Sequence, residues 1–188
     1  MIMHTHRMVA RHLYLGLERE EQKQLIYRTF VWSNVKPDLL PEYKRISHYY
    51  PANEDFVFNL LEKVCLEDLS PYEFTETLGI LIHFLCDYAC TYHANMAVNQ
   101  ANSMRQHMQY EFLLHGYTIR TLKKTQIKYM PLKTIEEAKE YILSIIARVD
   151  LVGMIPDMRA DFYAMLEISA SILKFALKQS PNQKITIN

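Results

Sequence analysis

Glycine is nearly missing from this sequence: four residues in 188, none within thirty-five positions of another. Strand-like alternation of apolar and polar residues is equally scarce. Together the two shortages point to helices, because tight hairpins and half-buried strands depend on both. Long apolar runs are absent as well. No eighteen consecutive apolar residues occur, and the opening MIMHTHRMVARH has no apolar stretch of signal-peptide length. The expectation is a soluble, cytoplasmic protein with no transmembrane segment. Net charge is also lacking, with 21 Lys and Arg against 21 Asp and Glu. No global basic field recruits nucleic acid or an anionic membrane, so only a local patch could do so.

Three cysteines, Cys65, Cys86 and Cys90, form no CxxC pair and leave an odd count. Reduced thiols packed as small hydrophobes are the expected state. Cys86 and Cys90, four apart, remain a weaker alternative as soft-metal ligands. The glycine-rich phosphate loops, the GxSxG turn and the HExxH helix are all missing, so nucleotide-dependent transfer, serine hydrolysis and metalloprotease chemistry find no support.

What is present reads as one all-α domain over residues 1–180 with a loose tail at 181–188. Apolar residues make up 49% of the chain and charged residues 22%, an ordinary globular balance. Thr5 is read as the cap of a first helix over about 6–15 that ends near Gly16, and a second helix is expected from Glu18 to Phe30. The stretch VWSNVKPDLLPEYKRISHYYP, with three prolines and no helical period, reads as an extended connection, and loops of that length are usually functional. Asn53 opens a helix to about Glu67. Ser70 with Pro71 and Glu73 is a capping box whose helix runs to Tyr92 or His93. Ser103 with Gln106 starts a helix through about Ile119, Thr134 with Glu137 starts one over IEEAKEYILSIIARV, and Asp157 starts a last one that stops before Pro181.

The chemistry is concentrated in HFLCDYACTYH, residues 83 to 93, and in HMQYE, residues 107 to 111. His83 and Asp87 are four apart, so on a helix both project onto one face. His93 lies six residues further, about 9 Å along a helix axis, too far for the same ion but suited to a neighbouring one. His107 and Glu111 repeat the four-residue spacing. With His93 they form two imidazoles and a carboxylate, a common zinc set that leaves a position open. Any single pair has a bland alternative, a hydrogen-bonded core histidine. Five such groups within twenty-nine residues do not, because burying them without a cation is costly.

HFLCDYACTYHAN followed by HMQYE resembles the bacterial zinc-dependent phospholipase C family, whose central helix carries His-x3-Asp-x5-His-Ala-x-Asn before a His-x3-Glu pair. The resemblance implies an all-helical fold of the phospholipase C and single-strand nuclease type, with a metal cluster of two to three zinc ions between helices. Fungal single-strand nucleases share that fold but typically carry His-x3-Asp after a longer gap, so Glu111 and the short gap favour the phospholipase branch. By the same resemblance His48, His83 and Asp87 hold one zinc, and His93, His107 and Glu111 a second. His6 holds a third with Asp87 bridging, and Asp38 faces the first zinc and orients or deprotonates the attacking water. The family's amino-terminal tryptophan, which gives its amine and carbonyl to the third zinc, has no counterpart here. Met1 takes its place, with His4 as a rival.

Clustered divalent ions suit phosphate-ester hydrolysis because they neutralise nonbridging oxygens and lower the pKa of bound water towards about 7. The expected function is a phospholipase C-like phosphodiester hydrolase acting on a phospholipid or a small soluble phosphodiester. The alternatives are a nuclease or nucleotide hydrolase of the same fold and a non-catalytic zinc-binding scaffold. Of the other residues, Trp32 is expected to pack under the loop, Tyr49 and Tyr50 to rim the pocket, and His115 and His12 to stand outside the ligand set.

Overall fold

A computed structural model describes residues 1–150 and 156–181. Among them there is no strand, and the regular structure is helices joined by turns and loops. The order is α1 (Met3–Leu15), α2 (Arg19–Gln22), α3 (Tyr27–Ser33), α4 (Lys36–Leu39), α5 (Glu54–Leu66), α6 (Pro71–Tyr88), α7 (Thr91–Ala94), α8 (Met96–Ala101) and α9 (Met104–Thr121). A 3-10 turn (Leu122–Lys124), α10 (Ile135–Asp150) and α11 (Met158–Gln179) complete it. The all-α expectation holds.

Local chemistry explains where several helices start. Ser70 accepts from the Glu73 amide while the Glu73 carboxylate returns to the Ser70 amide, and Ser103 and Gln106 repeat the reciprocal pair. Asp157 accepts from the amides of Arg159 and Ala160 at the head of α11. Asn53 precedes α5 as expected, and α10 starts just after Thr134.

Other boundaries move. α1 begins at Met3, so Thr5 is a buried interior residue, its hydroxyl 2.9 Å from Nδ1 of His115, and not a cap. The helix expected over 18–30 is two, α2 and α3, separated by a turn that buries Leu25. The proline-bearing connection is not extended throughout, because Pro37 sits in the first turn of α4, where a missing N–H costs nothing. α8 is an additional helix. The segment 182–188, where a loose tail is expected, lies outside the described residues.

α6 is the centre of the molecule. Apart from its first turn it is buried nearly all round, as expected of a helix apolar on every face. α1, α3, α5 and α11 pack against it. Gly79 permits the closest of these approaches: a Cβ there would lie 2.6 Å from the Ser33 Cβ and 3.0 Å from the Phe30 carbonyl. α3 therefore seats directly on α6 and delivers Asn34, one turn further on, to the side of His83. Asp38 follows on α4.

Candidate metal centre

Three clusters of buried and half-buried imidazoles and carboxylates converge at the C-terminal end of α6. The first joins α6 to the connection before α5. His48 Nδ1 lies 2.8 Å from Asp87 Oδ2 and 3.3 Å from His83 Nε2, and His83 Nε2 lies 3.3 Å from the same Asp87 oxygen. Asp38 Oδ1 stands 3.8 Å from His83 Nε2, and its other oxygen is buried without a hydrogen-bond partner.

The second cluster draws on α7 and α9. His93 Nε2 and His107 Nε2 each lie 3.0 Å from Glu111 Oε1 and 3.3 Å from one another. The third is built on α1. His6 Nε2 is 3.2 Å from Asp87 Oδ1, outside hydrogen-bonding geometry, and its ring stacks on His83 with centroids 3.9 Å apart. The Met1 amine lies 2.8 Å from Asp87 Oδ1, 2.9 Å from Glu111 Oε1 and 3.0 Å from His93 Nε2. Asp87 thus turns one oxygen to His48 and His83 and the other to His6 and Met1.

The helix expected to carry His93 stops short of it. α6 ends at Tyr88, and α7 turns away after Ala89 and Cys90. Asp161 on α11 holds that break: its carboxylate accepts from the Thr91 amide at 2.8 Å, the Thr91 hydroxyl at 2.7 Å and the Tyr110 hydroxyl at 2.6 Å. One side chain fixes α7 and α9 together, and with them His93 and the helix of His107 and Glu111. Burial pushes the Asp161 pKa up, against the opposing pull of those donors. Nothing in the local sequence around Asp161 marks this role; it follows only from the meeting of three helices.

Outer contacts orient the rings. His93 Nδ1 lies 3.0 Å from the His48 carbonyl, and His83 Nδ1 lies 2.9 Å from the Asn34 carbonyl. A carbonyl only accepts, so both Nδ1 atoms carry hydrogen, and in the neutral ring Nε2 presents its lone pair inward. Tyr49 stacks on His93 at 5.0 Å and Tyr92 on His107 at 4.8 Å, closing the second cluster from two sides.

The electrostatics favour the ligand-competent protonation state at His6, His93, Asp87 and Glu111. Burial, reinforced by the neighbouring His83, holds the His6 pKa down to about 3. Burial likewise lowers His93. Burial pushes Asp87 and Glu111 up but is outweighed by the Met1 amine and the surrounding histidines, so both stay well below the carboxylate range. Burial raises Asp38. His48 moves up, because its contact with Asp87 outweighs its burial.

This arrangement fits divalent cations. A neutral His93 facing Glu111 sets a lone pair against a carboxylate oxygen at hydrogen-bond distance, which a cation between them resolves. A tetrahedral zinc with bonds of about 2.0–2.1 Å spaces its donors about 3.3 Å apart. The second cluster, at 3.0, 3.0 and 3.3 Å, has the outline of one face of such a tetrahedron. His6 with both ring nitrogens buried and lacking hydrogen-bond partners, and Asp38 with a buried oxygen in the same state, add polar atoms that the protein alone leaves unsatisfied.

The chain matches the zinc dependent phospholipase C family over residues 5–171. It belongs to that family. No curated protein and no solved structure gave a match. Family membership makes the chain hydrolase-like and zinc-dependent in kind, and the matched region extends well past Glu111, the end of the His-x3-Glu pair.

The remaining singled-out residues sit outside the clusters. Cys65, Cys86 and Cys90 are free and buried, and Cys86 Sγ lies 3.2 Å from the Ser169 hydroxyl, turned towards α11. Trp32 is 46% exposed and does not pack under the connection. His4 meets His115 edge-on at 6.2 Å, so its ring is engaged on the far side of α1 from His6. His12 lies 3.2 Å from the Thr125 carbonyl.

Proposed function

We propose that this protein is a metal-dependent phosphodiester hydrolase of phospholipase C type, carried by one helical domain over residues 1–180 and acting on a phospholipid. The single observation that carries the reading is the second cluster, where His93, His107 and Glu111 aim three donor atoms at one point beside a bridging Asp87. His48, His83 and Asp87 would hold one ion and His93, His107 and Glu111 a second. His6, the Met1 amine and the other Asp87 oxygen would hold a third, with zinc as the expected metal. With the ions bound, the site supplies positive charge that neutralises phosphate oxygens, acidifies an attacking water and stabilises the leaving oxygen.

The chain's own residues supply the rest. Asp38 is the base: its partnerless carboxylate oxygen takes a proton from the attacking water, and the burial that raises its pKa makes it a better acceptor. The water oxygen bonds to phosphorus as the bond to the glycerol oxygen breaks, and that oxygen takes up a proton from solvent. Asn34 and the His48 carbonyl keep the two α6-side and α7-side rings from rotating, so the donors are in place before substrate arrives.

The test is turnover of phosphatidylcholine and p-nitrophenyl phosphocholine by zinc-loaded protein. Hydrolysis that disappears in Asp38→Asn while metal content is unchanged is the expected result. Digestion of single-stranded DNA with no lipid turnover would transfer the site to the nuclease reading. Full metal content with no turnover of either would leave a zinc-binding scaffold.

A further inference from the structure

The zero net charge of the chain conceals a strong segregation. Residues 1–17 and 88–135 hold eight Lys and Arg and one acid, Glu111, while the remainder holds thirteen basic and twenty acidic residues. Glu111 is buried in the second cluster, so the outer surfaces of α1 and α9 carry no acidic side chain.

α9 also exposes large apolar side chains on the same side. Met104 is 68% exposed, Phe112 60% and Ile119 51%. At 100° per residue, Met104, Met108, Ile119 and Phe112 fall within an arc of about 80°, with Arg105 about 20° beyond its outer edge and Arg120 about 80° beyond it. The inner edge adjoins the direction of Glu111, so the apolar stripe and the ligands are neighbouring faces of one helix. On α1, His4, Arg7 and Arg11 share an exposed arc. The two arcs meet where His4 contacts His115 and Thr5 bonds it. Lys123 and Lys124 extend the basic edge through the 3-10 turn.

The cations of this face are uncommitted. Among the described residues the Lys and Arg ion pairs are Lys23–Glu20, Lys36–Glu76, Lys139–Glu62, Arg148–Glu167 and Lys174–Glu21, all elsewhere. Arg7, Arg11, Arg105, Arg120, Lys123 and Lys124 have none. A nucleic acid would use the charge and could stack a base on Phe112, but it has no use for Met104, Met108 and Ile119 beside it. An anionic lipid surface uses both, with headgroups meeting the cations and the acyl boundary meeting the stripe.

We infer that the face formed by α9 and α1 docks the enzyme on an anionic lipid bilayer, beside the candidate metal centre. The inference rests on the phospholipid reading for the nature of the substrate, but its evidence is the surface itself. The experiment is co-sedimentation of the full-length protein with vesicles of phosphatidylcholine alone and of phosphatidylcholine mixed with phosphatidylglycerol. Binding to the mixed vesicles only is expected. Each lost cation should weaken it about fivefold, so Arg105→Gln with Arg120→Gln costs roughly 25-fold. Phe112→Ser with Met108→Ser should abolish the binding that survives high salt.

All four positions are exposed and outside the metal site, so turnover of soluble p-nitrophenyl phosphocholine should be unchanged in both double variants. Failure to bind mixed vesicles overturns the inference. So does binding that the Phe112 and Met108 variant leaves intact, single-stranded DNA binding of equal strength, or dimerisation through this face. Vesicle binding with no lipid hydrolysis leaves the docking face standing and overturns the phospholipase reading instead.

Discussion

His93 Nδ1 lies 3.0 Å from the backbone carbonyl of His48, and the Tyr50 amide returns a hydrogen bond to the His93 carbonyl at 3.0 Å. A residue of one ligand cluster is therefore held in place by the backbone of a residue from another. The connection before α5 and the short helix α7 are stitched together at the point where both deliver a ring, which couples the two halves of the candidate centre mechanically as well as electrostatically.

Asp38→Asn keeps the shape of the side chain and removes its basicity. Turnover should fall by about 10² to 10⁴, the usual worth of a positioned proton acceptor. Zinc content measured by elemental analysis should stay the same. A variant that loses metal as well would make Asp38 a ligand instead of a base.

Metal and fold should be linked. A ligand that binds only the folded chain stabilises it, so stripping the ions with a chelator should lower the melting temperature by at least about 5 °C, and zinc should restore it. Glu111→Gln removes the carboxylate shared by His93 and His107 and should lose one ion per chain. Thermal scans with and without chelator, alongside metal counting, check both parts.

Asp161→Ala tests the break between α6 and α7. Three donors, from Thr91 and Tyr110, lose a buried charged acceptor, and a destabilisation of roughly 3 kcal/mol is expected in chemical denaturation. Because α7 and α9 are released together, the ion held by His93, His107 and Glu111 should bind more weakly while the one beside His48 and His83 changes less. Equal weakening of every ion would place Asp161 in the general core only.

The stability of the metal-free protein should depend on pH with a definite sign. His6 titrates at about 3 when folded against 6.5 when unfolded. Between those values the unfolded chain binds the extra proton, so stability falls as pH drops from 6.5 towards 3. The raised His48 opposes this, and the lowered His93 adds to it. The Met1 amine works at the other end. Its pKa rises from 8.0 to about 12 on folding, so its contribution is full below 8 and fades as pH climbs through 12. Denaturation of the chelated protein across pH should give a maximum between about 6.5 and 8; a steady rise into acid would contradict it.

Much of this centre could be read from residue spacing, and the reasons are local. A capping serine with its Glu or Gln partner acts within one turn, so the starts of α6 and α9 are visible in SPYE and SMRQ. A four-residue interval determines which side chains share a helical face, so His83 with Asp87 and His107 with Glu111 stand out. What escapes is decided at long range. The stop after Tyr88 depends on Asp161, seventy positions beyond the Thr91 it holds. The start of α1 at Met3 has no side-chain cap to announce it, because Ile2 supplies only backbone. The split of α2 from α3 follows from burying Leu25, and the exposure of Trp32 from α3 turning its other face to α6. The lipid-docking face is hidden by a balance of charges that is even in total and uneven in space.

The central claim is that divalent cations draw these histidines and carboxylates together. Anomalous scattering at the zinc edge from a crystal of the protein tests it most directly. The account predicts two to three peaks at the C-terminal end of α6: one beside His48, His83 and Asp87, one beside His93, His107 and Glu111, and the third beside His6 and the Met1 amine. A crystal grown with zinc that shows no peak within reach of His93, His107 and Glu111 would contradict it.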